Sequence, residues 1–453
     1  MARHGQQSTE FELIRRHFNR RQVLKSAAVG AGVAVAPMFG RLPGASAQGV
    51  TLKVLVPQGA LADGLIKMAP KFTEETGNTI EVAAFPYESL QEKTVTLTQV
   101  QSPEFDMFFA DDPWMPNIRP ATSAVPLDAE YGYERDPDIF EVSYDVFSWP
   151  PPYGPVPESV REQNLEPHLY GLPVVGNVIL FAIRQDVLEE NGLEIPETWD
   201  DALAIAEAVY DPDAPFYGWT AREAGGNVDS IPILWSLGGD LLDEEFNVIL
   251  DNEAGLRTFN MVNDLAKFGP EGMVTYQTND FAADFLAGRA MMGLTWPGDT
   301  LVAMEDPEQS ESAGKLHYMN SPAGEPGGKG ASVLGNWGLV LNAASENRDA
   351  SYEFMTWLTS KENSIEYARN GGIPFRRSDL ENPELVEQFP WYPAQAEASA
   401  APPKWRPRTV AGGEILELYG QGIQRMVGGE QTPEEALTQA ADEMRQFMET
   451  VID

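Results

Sequence analysis

Two hydrophobic periods alternate along the first part of the chain. Thr51 to Val56 alternates apolar and polar residues with period two, which predicts a strand, and Leu61 to Thr76 repeats apolar residues at helical spacing. Pro70 predicts a kink or a late start in that helix, and Gly77 is placed to end it. Further elements are a strand at 79–84, a helix at 87–100 and a buried strand at 105–110. This order predicts a parallel α/β sheet.

The later part of the chain predicts a second α/β arrangement. A Pro-rich stretch at 149–157 excludes regular structure, and Tyr170 to Ile183 then predicts a new strand system. Thr198 is expected to cap the next helix, with Asp201 as its third residue. Other predicted elements are helices at 185–191, 252–267, 281–287, 349–360 and 432–451, and a strand at 332–342.

Ligands of parallel α/β sheets bind beyond the carboxyl ends of the strands. In the first three strands this rule selects Gln58, Tyr87 and the pair Asp111 and Asp112, which is followed by Trp114. A carboxylate there can accept hydrogen bonds from vicinal hydroxyl groups while an aromatic ring supplies an apolar wall. A turn cap after the third strand is the alternative interpretation of the two aspartates.

Composition excludes several classes of protein. The chain has 453 residues, with 31 Lys and Arg against 69 Asp and Glu, a formal net charge of −38 and no cysteine. A surface this acidic repels phosphate backbones, so a nucleic-acid partner is not expected. The absence of cysteine excludes thiolate sites, and the four scattered histidines predict no metal cluster and no catalytic triad. We therefore expect no cofactor, no metal site and no catalytic residues.

The N-terminus has the pattern of an export signal. Arg20 and Arg21 precede a short, weakly apolar run that contains Pro37 and is followed by Ala45-Ser46-Ala47. The segment resembles a twin-arginine signal peptide cleaved after Ala47, and its apolar run is too short for a membrane span. We therefore expect 1–47 to be removed and the rest of the chain to reside in the periplasm.

Two tryptophans lie where a buried core residue would be unusual. Trp296 ends an apolar segment and precedes Pro297, and Trp337 lies between Asn336 and Gly338. Sugar rings stack on indole faces, and their hydroxyl groups bind amides and carboxylates at the rim. We expect Trp296 to form a wall of the binding site and to be dispensable for the fold. Two core tryptophans in tight loops are the alternative.

Several motifs in order along the chain are typical of one family. They are Asp111-Asp112-Pro113-Trp114, Tyr-Gly-Leu-Pro-Val at 170–174, Phe-Leu-Ala-Gly-Arg-Ala-Met-Met at 285–292, Gly335-Asn336-Trp337-Gly338 and Gly371-Gly372-Ile373-Pro374. With the N-terminal signal, they resemble an extracellular solute-binding protein of a carbohydrate ABC transporter, the family that includes the maltose-binding protein. The resemblance covers essentially all of 48–453.

The resemblance implies a two-lobe periplasmic-binding-protein fold of class α/β. Each lobe would be a mostly parallel sheet flanked by helices, with crossing hinge segments between the lobes. The first lobe would comprise 48–166 and 336–375, and the second 167–335 and 376–453. The protein would be a monomer that closes on a carbohydrate and delivers it to a membrane permease without breaking a bond.

The resemblance also implies ligand-binding positions. Its motifs select Asp112, Asn177, Trp296, Asn336, Trp337 and Arg376, and polar or aromatic residues of the expected cleft loops add Gln58, Tyr87, Trp235 and Trp405. Two other functions are open at this point. A receptor for a cationic ligand such as a polyamine would exploit the acidic surface, and a secreted glycoside hydrolase would share the aromatic residues and carboxylates.

Overall fold

A mixed sheet of five strands and an antiparallel sheet of three hold eight of the strands in the described part of the chain. The structure is a computed structural model that describes residues 49–152, 154–223, 228–401 and 404–451. The predicted signal peptide and its cleavage site after Ala47 lie outside these residues. The strands are β1 Thr51–Pro57, β2 Thr79–Phe85, β3 Met107–Asp111, β4 Ser148–Trp149, β5 His168–Leu169, β6 Gly171–Val175, β7 Leu180–Arg184, β8 Met292–Thr295, β9 Leu316–Met319 and β10 Trp337–Leu341.

The first sheet has five strands in the order β2-β1-β3-β10-β6. Strand β1 pairs in parallel with β2 and β3, as predicted, and the returning strand β10 is antiparallel to both β3 and β6. In that register Trp337 lies opposite both Asp111 and Val175. The start of β10 therefore meets the carboxyl end of β3, where the candidate residues are concentrated.

The second sheet has three strands in the order β8-β7-β9, and β7 is antiparallel to both neighbours. The α/β fold class is confirmed, but the expectation of a mostly parallel sheet in each lobe is wrong for these three strands. The predicted strand system at 170–183 is also two strands in two different sheets, because β6 pairs with β10 and β7 pairs with β8. The chain leaves the first sheet after Val175 and enters the second at Leu180.

The predicted helices are found to within a few residues, and the structure adds others that the sequence did not predict, such as Lys361–Arg369, Tyr392–Ala400 and Gly412–Val427. The helices are Asp63–Thr76, Tyr87–Gln99, Met115–Ile118, Pro120–Ser123, Leu127–Tyr131, Glu141–Val146, Glu158–Arg161, Gln185–Asn191, Trp199–Val209, Ile231–Ser236, Glu253–Ala266, Thr278–Leu286, Val302–Met304, Arg348–Leu358, Lys361–Arg369, Arg377–Leu380, Pro383–Gln388, Tyr392–Ala400, Gly412–Val427 and Pro433–Met448. Short helical turns of other types lie at Ala60–Ala62, Asp112–Trp114, Met273–Thr275 and Pro297–Leu301.

Local sequence signals explain where helices begin and end. Thr198 accepts a hydrogen bond from the Asp201 amide while the Asp201 side chain accepts one from the Thr198 amide, which is the predicted capping box. Gly77 takes a left-handed conformation with φ of 81°, which a side chain would strain, and it ends the first long helix. Pro70 is accommodated inside that helix, which begins at Asp63 after a tight turn.

Separate apolar clusters surround the two sheets. The first packs helices such as Asp63–Thr76 and Arg348–Leu358 on the five-stranded sheet. The second combines β7 and β8 with the two C-terminal helices Gly412–Val427 and Pro433–Met448. Among the described residues, no helix is long and apolar enough to cross a membrane. The two clusters are separate centres of packing, and each contains candidate residues, Trp337 in the first and Trp296 in the second.

Candidate functional site

An aromatic cluster stands at the carboxyl edge of the first sheet. The ring centroids of Tyr87, Trp114 and Trp337 lie 5.0 to 5.7 Å from one another, in tilted and edge-to-face arrangements. Tyr87 starts the helix after β2, Trp114 ends the turn after β3, and Trp337 begins β10. Parallel strands bring these loops to one edge, so residues distant in sequence form one aromatic wall. Trp337 belongs to the first apolar cluster, and Tyr87 is exposed as a residue while its hydroxyl points to Asp111 and Trp114 inside the site.

Asp111 is the polar centre of this edge. Its carboxylate forms a two-point ion pair with Arg406, with distances of 2.7 Å from Nη2 to Oδ1 and 3.2 Å from Nη1 to Oδ2. The Tyr87 hydroxyl donates to Asp111 Oδ2 at 2.9 Å and accepts from Trp114 Nε1 at 3.0 Å. Both members of the ion pair are buried. Burial and the charge of Asp111 raise the pKa of Tyr87, so the hydroxyl remains a donor at neutral pH.

Asp112, a predicted ligand residue, is 2% exposed and faces a second arginine. Arg408 Nε lies 3.5 Å from Asp112 Oδ1, and Arg406 Nε lies 3.9 Å from Oδ2. Burial raises the pKa of Asp112, and the two guanidinium groups oppose that shift. The Arg408 guanidinium stacks 3.3 Å from the ring centroid of Trp405, which is half-buried. The segment from 404 to 408 therefore covers the aspartate pair.

Asn336 and Asn177 lie where the chain passes between the two sheets. The Asn336 side-chain amide donates to Ser143 Oγ at 3.2 Å, while its oxygen is buried without a hydrogen-bond partner in the described part of the chain. Asn177 Oδ1 accepts from the Gly298 amide at 3.2 Å, and its backbone oxygen accepts from the Gly335 amide at 2.8 Å. Asn177 thus fixes the turn after Trp296, and Asn336 offers a free acceptor.

Trp296 ends β8 and is 6% exposed, within the second apolar cluster. Its Nε1 donates to Asp229 Oδ1 at 3.3 Å, and Asp229 forms a two-point ion pair with Arg222 at 2.7 Å for each contact. The Gly335 backbone lies so close that a Cβ there would be 2.2 Å from the indole. The expectation that Trp296 is not a core element is therefore wrong, because its burial makes the indole part of the packing.

Among the described residues, Trp235 and Gln58 form no hydrogen bond or ion pair with the aspartates Asp111 and Asp112. Trp235 is buried, its Nε1 donates to Asp240 Oδ1 at 3.2 Å, and Lys404 lies 5.8 Å from its ring centroid. Gln58 is exposed just after β1, and its backbone amide donates to the Phe85 carbonyl at 2.8 Å. Trp235 therefore lies at the second-sheet end of the segment that covers Asp112.

Arg376 is held by other parts of the protein. Its guanidinium donates to the Thr359 carbonyl, to Asp136 at 2.7 Å and to Asp138 at 3.4 Å, and the side chain is 3% exposed. These partners explain the burial of Arg376 without a ligand. We therefore leave it out of the proposed site.

Four charged residues of the site are absent from the sequence prediction. They are Arg406 and Arg408, which face Asp111 and Asp112, and the Arg222–Asp229 pair that holds Trp296. Their pairing joins residues up to 295 positions apart, and periodicity carries no information on such contacts. The Arg-Pro-Arg run at 406–408, in a chain with few basic residues, is the one local signal that marks them.

A cavity of about 220 Å³ borders the site. Ala60 lines it from the turn after β1, Pro297 and Gly298 from the turn after Trp296, and Ile373 and Trp391 from the C-terminal part. A Cβ at Gly298 would be 2.8 Å from Leu61. Elements that follow strands of both sheets are therefore in contact here.

The chemistry of the site is that of recognition. In the residues that the structure describes, no group of acidic or histidine side chains could hold a metal ion. The carboxylates of Asp111 and Asp229 are each engaged by a guanidinium at hydrogen-bond distance. Such pairs present fixed donors and acceptors beside aromatic faces, which suits the binding of hydroxyl groups.

The chain is similar to known proteins over most of its length. The family profile described as "Bacterial extracellular solute-binding protein" matches residues 58–365. A probable amino-acid ABC transporter periplasmic-binding protein of Sinorhizobium fredii is 25% identical over 88% of this chain and 90% of its own length. A mannitol-binding protein of Pseudomonas aeruginosa is 28% identical over 45% of this chain and 48% of its own length. A solved ABC transporter solute-binding protein of Agrobacterium radiobacter, in complex with ribitol, has a TM-score of 0.75 at 23% identity and covers 88% of this chain and 99% of that one.

Proposed function

Because the chain belongs to the family of bacterial extracellular solute-binding proteins, we propose that it is the substrate-binding component of an ABC importer for an uncharged, polyhydroxylated ligand, a sugar or a polyol. The observation that carries this proposal is a set of buried Asp–Arg pairs next to aromatic residues, Asp111–Arg406 beside Tyr87 and Trp114 and Asp229–Arg222 beside Trp296. The resemblance found in the sequence to this family is confirmed by the family match.

Charge neutralisation favours an uncharged ligand. Asp111 pairs with Arg406, Asp112 faces Arg408, and Asp229 pairs with Arg222. A zwitterion or a polyamine needs an unpaired buried counter-charge, because a charge that loses its hydration without a partner is costly. Hydroxyl groups only need donors and acceptors, and each Asp–Arg pair offers both at fixed positions.

The pairing of the buried charges also distinguishes between the ligands for which two of the relatives are named. The Sinorhizobium relative is named for an amino acid, and the Pseudomonas relative is named for mannitol. The neutral pairs and the free oxygen of Asn336 support the polyol, since a hydroxyl group can donate to that oxygen. A glycoside hydrolase is not supported, because the family consists of binding proteins and Asp111 and Asp229 are each held by an arginine.

The proposed capture uses hinge closure between two lobes. The first lobe contains the five-stranded sheet, so we extend its proposed range to include β6, and the second contains the three-stranded sheet. The other proposed limits, near 335 and 375, remain those that the family resemblance implies. Ligand entry would require the segment that carries Arg406 and Arg408 to separate from Asp111 and Asp112, and bound ligand would shift the population toward the closed form.

The setting of the protein follows from the family and from the N-terminal signal. We propose export through the twin-arginine route, cleavage after Ala47 and residence in the periplasm as a monomer. The partner would be the permease of the importer in the inner membrane, which receives the ligand from the closed form. Neither a cofactor nor a metal ion is part of the proposal.

The proposal can be tested by tryptophan fluorescence of the purified protein. Mannitol, ribitol, erythritol and maltose would be titrated in parallel with L-glutamine and putrescine. We expect saturable changes with at least one sugar or polyol, because three tryptophans border the site. Response to the amino acid or the polyamine alone would contradict the proposal.

A further inference from the structure

Glu223 is a buried acidic side chain that the site described above does not use. It is 9% exposed, and among the described residues its carboxyl group has no hydrogen bond or ion pair. Its backbone oxygen accepts from the side-chain amide of Gln424 at 2.8 Å. This hydrogen bond holds the main chain but does not involve the carboxyl group. A buried polar group without a partner is costly, and in native proteins such groups usually bind something.

The backbone places Glu223 at the same end of the second sheet as Trp296. The run that leads to Glu223 lies parallel to β8, with Tyr217 opposite Ala290. The Met291 amide donates to the Tyr217 carbonyl at 2.8 Å, and the Thr220 amide donates to the Met292 carbonyl at 3.1 Å. Both runs advance in the same direction, so Glu223 and Trp296 emerge beyond the same edge.

The charged neighbours of Glu223 cannot satisfy it. Asp229 is close enough for its negative charge to act on Glu223, and Arg222 already binds Asp229 through two contacts. The Tyr419 hydroxyl is paired with Ser230 at 2.9 Å. Burial and the charge of Asp229 raise the pKa of Glu223 to about 8, so the carboxyl can donate as well as accept at neutral pH.

We propose that the Glu223 carboxyl group binds a hydroxyl group of the ligand directly and so selects ligands on the second-sheet side of the site. The inference rests on the proposed function, because it supplies the hydroxyl-bearing ligand. It adds a residue that neither the sequence pattern nor the family resemblance selected. The geometry that supports it is a fixed backbone, a side chain that is 9% exposed and has no partner among the described residues, and a position beside the cluster of Arg222, Asp229 and Trp296.

The test compares affinity and stability in the same variants. Glu223→Met has a similar length and removes both donor and acceptor, Glu223→Gln keeps them, and Glu244→Gln changes an exposed glutamate as a matched control. Mannitol and ribitol are the probes, measured by tryptophan fluorescence. We expect Glu223→Met to weaken binding at least about 10-fold, Glu223→Gln to weaken it less, and Glu244→Gln to leave it unchanged.

The unfolding temperature without ligand separates a binding role from a structural one. We expect Glu223→Met to unfold no lower than the wild type, because no internal hydrogen bond is lost. Unchanged affinity in Glu223→Met, or a lower unfolding temperature without ligand, would overturn the inference alone. A wild type that binds neither polyol nor any sugar would refute the proposed function and this inference with it.

Discussion

At the scale of single residues, the site is defined by pairing. Asp111, Asp112 and Asp229 are buried and each faces an arginine, whereas Glu223 is buried and has none among the described residues. The difference matters because a guanidinium partner offsets the cost of burying a charge, while a carboxyl without one takes up a proton or a ligand. The titration of Glu223 is therefore measurable in the stability of the ligand-free protein.

We predict a pH-dependent loss of stability that Glu223→Gln removes. The pKa of Glu223 is raised from 4.5 to about 8 in the folded protein, so the folded state binds one more proton than the unfolded state between these values. This contribution is fully present below about pH 4.5 and is lost as the pH rises through 8. Relative to Glu223→Gln, the wild type should lose up to about 4 kcal/mol of unfolding free energy between pH 5 and pH 9.

Urea denaturation of both proteins across this pH range measures the effect, with Glu244→Gln as the control. Other titrating groups are common to all three proteins and cancel in the difference. Parallel pH profiles of the wild type and Glu223→Gln would contradict the account, because they would mean that Glu223 is ionised in the folded state.

At the scale of elements, local signals decide boundaries. The last helix begins where Thr432 and Pro433 predict, and Thr432 and Glu435 form a capping box. Helix 185–191 ends before Gly192, as predicted, with φ of 64° at the glycine. These elements could be predicted because the cap and the stop lie within a few residues of the helix they limit.

Loss of the cap should cost a defined amount of stability. Thr432→Ala removes the acceptor for the Glu435 amide, so we expect the unfolding free energy to fall by about 1 kcal/mol. Thr438→Ala, an exposed change inside the same helix, is the control and should cause no loss, since alanine is the better helix former. Equal stability of Thr432→Ala and the wild type would show that the cap does not hold this helix.

Strand pairing and ion pairs could not be predicted from local signals as the helix boundaries could. Periodicity predicts strands in 170–183 but does not show which strands they pair with. The sequence therefore predicts one strand system there, whereas β6 pairs with β10 and β7 pairs with β8. The loops that carry Asp112, Trp296 and Trp337 follow from strand ends and motifs. Arg406 and Arg408 required the tertiary structure, because a loop far along the chain brings them to Asp111 and Asp112. The burial of Trp296 depends likewise on the approach of Gly335.

At the scale of the whole molecule, the buried ion pairs join the two centres of packing. Asp111 belongs to the first sheet, and Arg406 precedes helix Gly412–Val427, which packs in the second apolar cluster. Breaking a buried pair from one side leaves an uncompensated charge. The Asp111–Arg406 pair therefore links the stability of the first sheet to that of the second apolar cluster.

A double-mutant cycle tests this link. We expect Arg406→Met to lower the unfolding free energy by about 3 to 5 kcal/mol, because the Asp111 carboxylate loses its buried partner. Asp111→Asn together with Arg406→Met should cost less than the sum of the two single changes, since no charge is then left unpaired. Costs that simply add, measured by urea denaturation, would mean that the two side chains do not stabilise each other.

The central claim is that this protein binds an uncharged, polyhydroxylated ligand at a site whose buried aspartates are paired with arginines. Isothermal titration calorimetry of mannitol and ribitol at low and at high salt tests it most directly, with L-glutamine and putrescine as charged comparisons. The account predicts saturable binding of a polyol with nearly the same affinity at both salt concentrations, because no net charge is brought together. Binding confined to a charged compound, with an affinity that falls as salt is added, would contradict it.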